Sequence, residues 1–137
     1  MIAGYFAIDG SPYVKARVNL PRIGMVGDVN FLVDTGSDTT IVHPFDAGNL
    51  HCPFDEPYNP SVSTSAGGPH TYYAEPAVVS FYDGEARHDF RIDLHIGKPH
   101  PITDGLDSLV GRDDLNELEM RYAPRRGQPV FSLDGGP

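Results

Sequence analysis

The run Phe31-Leu32-Val33-Asp34-Thr35-Gly36-Ser37-Asp38-Thr39-Thr40-Ile41-Val42 sets an acid directly after three apolar residues and before a glycine and a cluster of hydroxyls. Three consecutive apolar residues predict a strand that runs through the interior. The carboxylate at its end is forced into a tight polar loop. Burying a carboxylate is costly without hydrogen bonds or a shared proton. Chains tolerate that cost chiefly where the acid has chemistry to do. Asp34-Thr35-Gly36 occurs once in 137 residues.

The surrounding pattern is that of an all-β chain. Gly (15) and Pro (13) are frequent, helix-period stretches are few, and 39% of residues are apolar, which together predict short strands and many turns. The length fits a single domain spanning residues 1–137. Tyr5–Ile8 reads as a short strand before an Asp9-Gly10 turn. Tyr13–Leu20 alternates apolar with polar, the period of a half-buried strand. Pro21–Gly24 turns the chain, Met25–Val33 leads into the acid, and Thr39–Val42 continues extended until Pro44 closes it. Asp46–Pro60 is expected to be a long surface loop, and Ser61–Tyr73 an exposed hairpin with a flexible tip at Gly67-Gly68-Pro69. Ala77–Tyr82 and Phe90–Ile96 form strands joined through Asp83-Gly84. Leu109–Gly111 is a short strand, Asp113–Glu119 the one helix, and Met120–Tyr122 with Pro129–Leu133 a terminal hairpin.

A second motif, Leu109-Val110-Gly111-Arg112-Asp113-Asp114-Leu115, lies downstream. With the Asp-Thr-Gly run and the glycine-rich hairpin between them, the chain resembles the retropepsins, the retroviral-type single-domain aspartic proteases. The order of strand, strand, acid loop, hairpin, Gly-Arg helix and terminal strand covers nearly the whole chain. The resemblance implies a small closed β-barrel with one short C-terminal helix, working as a two-fold homodimer.

It also implies an aspartic endopeptidase acting on a peptide or protein, with Asp34, Thr35 and Gly36 catalytic. Peptide hydrolysis by this route needs two carboxylates sharing one proton. One accepts a proton from the attacking water while the other protonates the carbonyl oxygen. With one such acid per chain, the second Asp34 comes from another copy across a two-fold axis. Gly36 permits close backbone packing there, and Thr35 ties the two loops together across the axis in the family. Ser37 is expected to hydrogen-bond Asp34 and favour its charged form. Asp38 is expected to pair with Arg112, following Gly111, in the bidentate geometry that locks a loop against a helix. Ala66, Gly67, Gly68, Tyr72 and Tyr73 are the expected flap and substrate-groove residues. The competing reading is a catalytically silent dimerisation or peptide-binding module that kept the fold. A third is a protease domain released from a longer precursor, against which an initiating Met1 weighs.

Other chemistries fit less well. A formal net charge of −9 opposes nucleic acid, whose phosphates would repel it. No apolar run approaches the roughly 20 residues that span a bilayer, so no membrane partner is expected. The lone Cys52, with no evident signal peptide, fits a reducing, cytoplasmic compartment. No metal or cofactor is expected. His51-Cys52 lacks a second cysteine for zinc, and Asp104, Asp107, Asp113 and Asp114 lack the alternating spacing of a calcium loop. Neither a G-x-S-x-G nucleophile elbow nor a phosphate-binding loop is present.

Overall fold

The structure, a computed structural model, describes residues 2–50, 59–65, 68–84, 86–97, 105–126 and 130–132. The chain is mostly β. Its strands are β1 (Ile2–Ala3), β2 (Tyr5–Phe6), β3 (Pro12–Leu20), β4 (Met25–Val33), β5 (Ile41–Val42), β6 (Asn59–Ser65), β7 (Gly68–Tyr82), β8 (Arg87–Gly97), β9 (Leu109–Val110), β10 (Glu119–Arg121) and β11 (Val130–Ser132), with helices α1 (Pro44–Asn49) and α2 (Arg112–Leu115).

Alternation builds the core. Along β3, Val14, Ala16, Val18 and Leu20 are buried while Lys15, Arg17 and Asn19 face out. Val29 and Phe31 of β4, Ala77, Val79 and Phe81 of β7, and Leu94 and Ile96 of β8 complete that layer. Pairing is antiparallel from Tyr13↔Leu32 to Leu20↔Met25 and from Tyr72↔Gly97 to Tyr82↔Arg87. Eight strands follow in the order β2-β3-β4-β9-β5-β8-β7-β6, and β3 also pairs with β7 through Val18↔Val79, closing the sheet on itself. Strands β6 and β7 form the expected hairpin, with Ser65 opposite Gly68. A second sheet of three strands sets β11 between β1 and β10.

The strand carrying Asp34 has an unusual neighbour. β4 and β5 are consecutive, yet β9 lies between them, parallel to β4 (Leu32↔Leu109, Val33↔Val110) and antiparallel to β5 (Ile41↔Leu109). The loop from Asp34 to Thr40 therefore straddles a third strand.

Several expectations need correction. Pro44 opens a helix rather than ending a strand: its fixed φ and missing N–H suit the first helical position. Pro44, Ala47 and Leu50 turn inward, so the expected 46–60 surface loop begins as α1, ends as β6, and otherwise lies outside the described residues. Among the described residues there are two α-helices rather than one. α2 starts at Arg112 and is shorter than the expected Asp113–Glu119. Turns carry the chain to Leu118, whose N–H donates to the Leu115 carbonyl (3.0 Å), and Glu119 already belongs to β10. β2 ends at Phe6 because Gly10, at φ 89°, and an N–H donated by Ser11 to Asp9 Oδ1 (2.9 Å) shape the turn earlier.

The turn between β3 and β4 is fastened to β7 by charge. Arg22 Nε donates to both carboxylate oxygens of Glu75 (2.9 and 2.8 Å) and Nη2 to Oε1 (2.6 Å), while Glu75 is 1% exposed. The Arg22 side chain is 45% exposed, so removing it leaves the Glu75 charge sealed from water without its partner. Arg22→Met is expected to destabilise the protein by about 3 kcal/mol, read from the midpoint of urea unfolding. A shift no larger than that of an exposed arginine would show the clasp to be dispensable.

Candidate active site

Asp34 stands at the C-terminal end of β4, half-buried, on a loop whose next two residues are exposed. Its backbone N–H donates to the Val110 carbonyl (3.0 Å), extending the β4–β9 ladder to the acid itself. Its Oδ1 accepts the Gly36 N–H (2.9 Å), and the Ser37 N–H donates to its carbonyl (3.2 Å). The loop thus folds back on Asp34 and holds one carboxylate oxygen with a backbone donor. The expected hydroxyl bond is absent: Ser37 Oγ donates to the Thr39 carbonyl (2.6 Å) instead. The hydroxyl braces the loop and leaves the acid to Gly36.

Arg112 also differs from expectation. Its Nη1 donates to the Thr35 carbonyl (2.8 Å), and its backbone N–H to the Ser37 carbonyl (2.8 Å). Among the described residues no ion pair joins it to Asp38. Helix and loop are still locked together, but through peptide carbonyls, which give the guanidinium a fixed partner without drawing in an acidic side chain.

Gly111 explains how two chain segments approach so closely. A Cβ there would collide with the Thr39 carbonyl and lie 2.9 Å from the Ser37 carbonyl oxygen. Both are backbone atoms that cannot swing aside, so only glycine fits.

The structure adds two residues that the sequence marks only as helix-start acids. Asp113 accepts the Thr40 N–H at Oδ2 (3.0 Å), and its Oδ1 accepts the Thr40 hydroxyl (2.6 Å) and the Asp114 N–H (2.9 Å). It clamps the far end of the acid loop. Asp114 is 0% exposed, with Oδ1 unpartnered and Oδ2 3.3 Å from Thr40 Oγ1. One hydroxyl proton cannot serve both acids, and the shorter contact takes it. Thr40 Oγ1 accepts the Gly111 N–H (3.1 Å) and has a second lone pair free for a protonated Asp114. Burial first, and then the neighbouring Asp113 charge, push the Asp114 carboxyl up from 3.8 to about 7.

Of the expected groove residues, Tyr72 is fully buried. Its ring meets His43 edge-on (6.0 Å) and its hydroxyl lies 3.3 Å from His43 Nε2, so it is part of the core. Tyr73, next along β7, is half-buried. Gly68 begins β7 at the closed end of the hairpin, and Ala66 and Gly67 lie outside the described residues. Among the described residues no group of three or more His, Cys, Asp or Glu could hold a metal ion, and no helix is long and apolar enough to cross a membrane.

Comparison with solved structures identifies the architecture. The chain resembles a retropepsin-like aspartic protease from Rickettsia conorii with a TM-score of 0.59 and 21% identity, over 94% of this chain and 97% of that one. It also resembles EIAV protease complexed with the inhibitor HBY-793, with a TM-score of 0.49 and 18% identity, over 81% of this chain and 90% of that one. No family model matches the chain, and no curated protein matches it in sequence. The fold is retropepsin-like.

The raised Asp114 carboxyl makes stability depend on pH with a definite sign. Its folded value, about 7, exceeds its ordinary value of 3.8, so the native state holds the proton more tightly. Unfolding becomes easier as pH rises through that window, by up to about 1.4 kcal/mol per pH unit, and levels off above it. Asp114→Asn, whose amide can donate to Thr40 without ionising, is expected to remove most of this slope and to be the more stable protein at pH 8. Parallel unfolding midpoints for the two proteins between pH 5 and pH 8 would rule Asp114 out as the source.

Proposed function

We propose that the protein is an aspartic endopeptidase that hydrolyses peptide bonds as a homodimer, with one Asp34 from each subunit. The observation that carries this reading is the placement of Asp34. A half-buried carboxylate ends an interior strand, held by the Gly36 N–H on a loop that straddles β9, in a retropepsin-like fold. A merely structural turn aspartate does not require a loop fastened from Thr35, Ser37 and Thr40 at once.

In this reading the two Asp34 carboxylates meet across the two-fold axis and share one proton, as aspartic-protease dyads do. The unprotonated acid takes a proton from water, which attacks the peptide carbonyl. The protonated one gives its proton to the carbonyl oxygen. Thr35 and Gly36, both exposed, are then the loop residues nearest the axis. Ser37, Gly111 and Arg112 are positioning residues that fix the loop's shape, and Asp38 is exposed at its surface, open to a partner or substrate. The β6–β7 hairpin is the flap, with Ser65 opposite Gly68 at its closed end, and Tyr73 is the aromatic candidate along its base. The whole chain, residues 1–137, acts as one domain.

The subunit contact follows from which edges are open. Val130–Ser132 already pairs on both sides, with β1 and β10, so it has no free edge to offer. Among the described residues β1, β10, β2 and β6 each keep one unpaired edge, and the edges of β1 and β10, with the Asp34–Ser37 loop, are the contact proposed for a second copy.

Two measurements test the reading. Asp34→Asn is nearly isosteric and is expected to keep the fold while lowering peptide cleavage at least about a thousandfold, assayed on a peptide library with and without a statine-type inhibitor. Near wild-type cleavage by the variant would remove Asp34 from the mechanism. A folded wild-type protein that binds peptides but cleaves none would favour the silent binding module. Wild-type specific activity is also expected to fall on dilution, because each site needs two chains. Constant specific activity down to the monomer, tracked by sedimentation, would exclude a shared site.

A further inference from the structure

Beside β9 a cleft of about 510 Å³ opens between β2, β3, α1 and the segment before β9. Three aromatic residues line it. Tyr5 and Tyr13 stack at 5.5 Å with an interplanar angle of 13°. Phe45, the second residue of α1, is 69% exposed and Tyr5 is 44% exposed, so their apolar surfaces stay open to solvent. Asp46 and Asp107 also line the cleft.

Both acids are held by neutral donors. Tyr13 Oη donates to Asp107 Oδ2 (2.9 Å) and Ser108 Oγ to Asp46 Oδ2 (2.6 Å). Among the described residues no ion pair involves either carboxylate, so each is met there by a hydroxyl rather than a cation, beside stacked aromatic rings. Burial first, and then Asp107, raise the Tyr13 phenol to about 12, which keeps it a donor at any ordinary pH. Aromatic faces and carboxylates attract the same kind of partner, a cation with a flat apolar surface. A guanidinium suits this better than an ammonium, because it stacks on rings and forks onto carboxylates.

The cleft is joined to the catalytic strand. Tyr13 pairs across the sheet with Leu32, two residues before Asp34. The Leu32 N–H donates to the carbonyl of Ser108, the residue after Asp107. The Ser108 hydroxyl accepts the His43 N–H (3.0 Å), and His43 Nδ1 bonds the Asp107 carbonyl (2.6 Å). An occupant would press on a rigid hydrogen-bonded floor that continues into β4.

We propose that this cleft binds the side chain of an arginine in a peptide, with Tyr5, Tyr13 and Phe45 as its walls and Asp46 and Asp107 as its counter-charges, and that it selects substrates carrying such a residue at a fixed distance from the cleaved bond. The second half rests on the protease reading, and the first does not.

The test uses the Asp34→Asn protein and two probes, Nα-acetyl-arginine methylamide and its neutral citrulline isostere, titrated by NMR. Saturable shifts at the Tyr5, Tyr13 and Phe45 rings are expected with the arginine probe. They should be at least tenfold weaker with citrulline and at least fivefold weaker in Asp107→Asn and in Phe45→Ala. Equal response to citrulline, shifts elsewhere, or no saturation would overturn the site. In a second arm, wild-type enzyme cleaves a peptide library. Enrichment of arginine at one position, lost in Asp107→Asn, supports the substrate role, and cleavage without it overturns that role. Arginine binding with no cleavage of any peptide would instead defeat the protease reading and leave the cleft standing.

Discussion

The approach of Gly111 to the backbone of Ser37 and Thr39 is the contact on which the acid loop depends. A strand inserted between β4 and β5 keeps those two from pairing, so the loop joining them has no sheet of its own to rest on. It rests on the chain leaving β9 instead. Glycine lets that chain come within van der Waals reach, and every fastening follows from the proximity it permits. The Arg112 N–H reaches the Ser37 carbonyl, its guanidinium reaches the Thr35 carbonyl, and Asp113 reaches both the N–H and the hydroxyl of Thr40. Buried backbone groups left unpaired would cost as much as lost hydrogen bonds. The second motif supplies those partners from a segment about 75 residues distant in sequence.

Periodicity and turn chemistry made much of this legible in the sequence. Residues 13–20 alternate cleanly, because one face is core and the other is not, and β3 falls where that pattern places it, with β4 where residues 25–33 lead into the acid loop. The β7–β8 hairpin and the antiparallel pairing of β10 with β11 were equally readable, though not their register. The run from Leu32 to Asp38 and the later Gly-Arg pair pointed to the architecture that the Rickettsia protease comparison supports.

What was not legible has physical reasons. Pro44 can end a strand or open a helix, and only the inward turn of Ala47 and Leu50 decides between them. The partner of Ser37 is chosen by a loop curvature that brings the Thr39 carbonyl nearer than the Asp34 carboxylate. Arg112 had two kinds of acceptor within reach, and a sequence does not rank a carboxylate against a well-placed carbonyl. Tyr72 and Tyr73 are adjacent on a strand and so face opposite sides. Composition marks both as groove candidates, but the pleat gives Tyr72 to the core beside His43. Asp113 and Asp114 look alike in sequence. Helix geometry turns one toward Thr40 and the other into the interior.

That last division gives the acid loop two supports of opposite character. Asp113 works as a charged acceptor, taking three hydrogen bonds from Thr40 and the Asp114 N–H. Asp114 is comfortable only when neutral, since its Oδ1 has no partner and its neighbour already bears charge. Protonated, it gives Thr40 Oγ1 a donor and lets the Thr40 proton go wholly to Asp113, so the competition for that proton ends. Ionised, it sets two carboxylates competing for one hydroxyl proton beneath the loop that carries Asp34. In the proposed mechanism the dyad likewise works only while it keeps its shared proton. The support and the chemistry therefore fail in the same direction as pH rises. A leucine at position 114 would avoid the buried charge, but it would have no proton to offer Thr40 and would make the loop's support indifferent to pH.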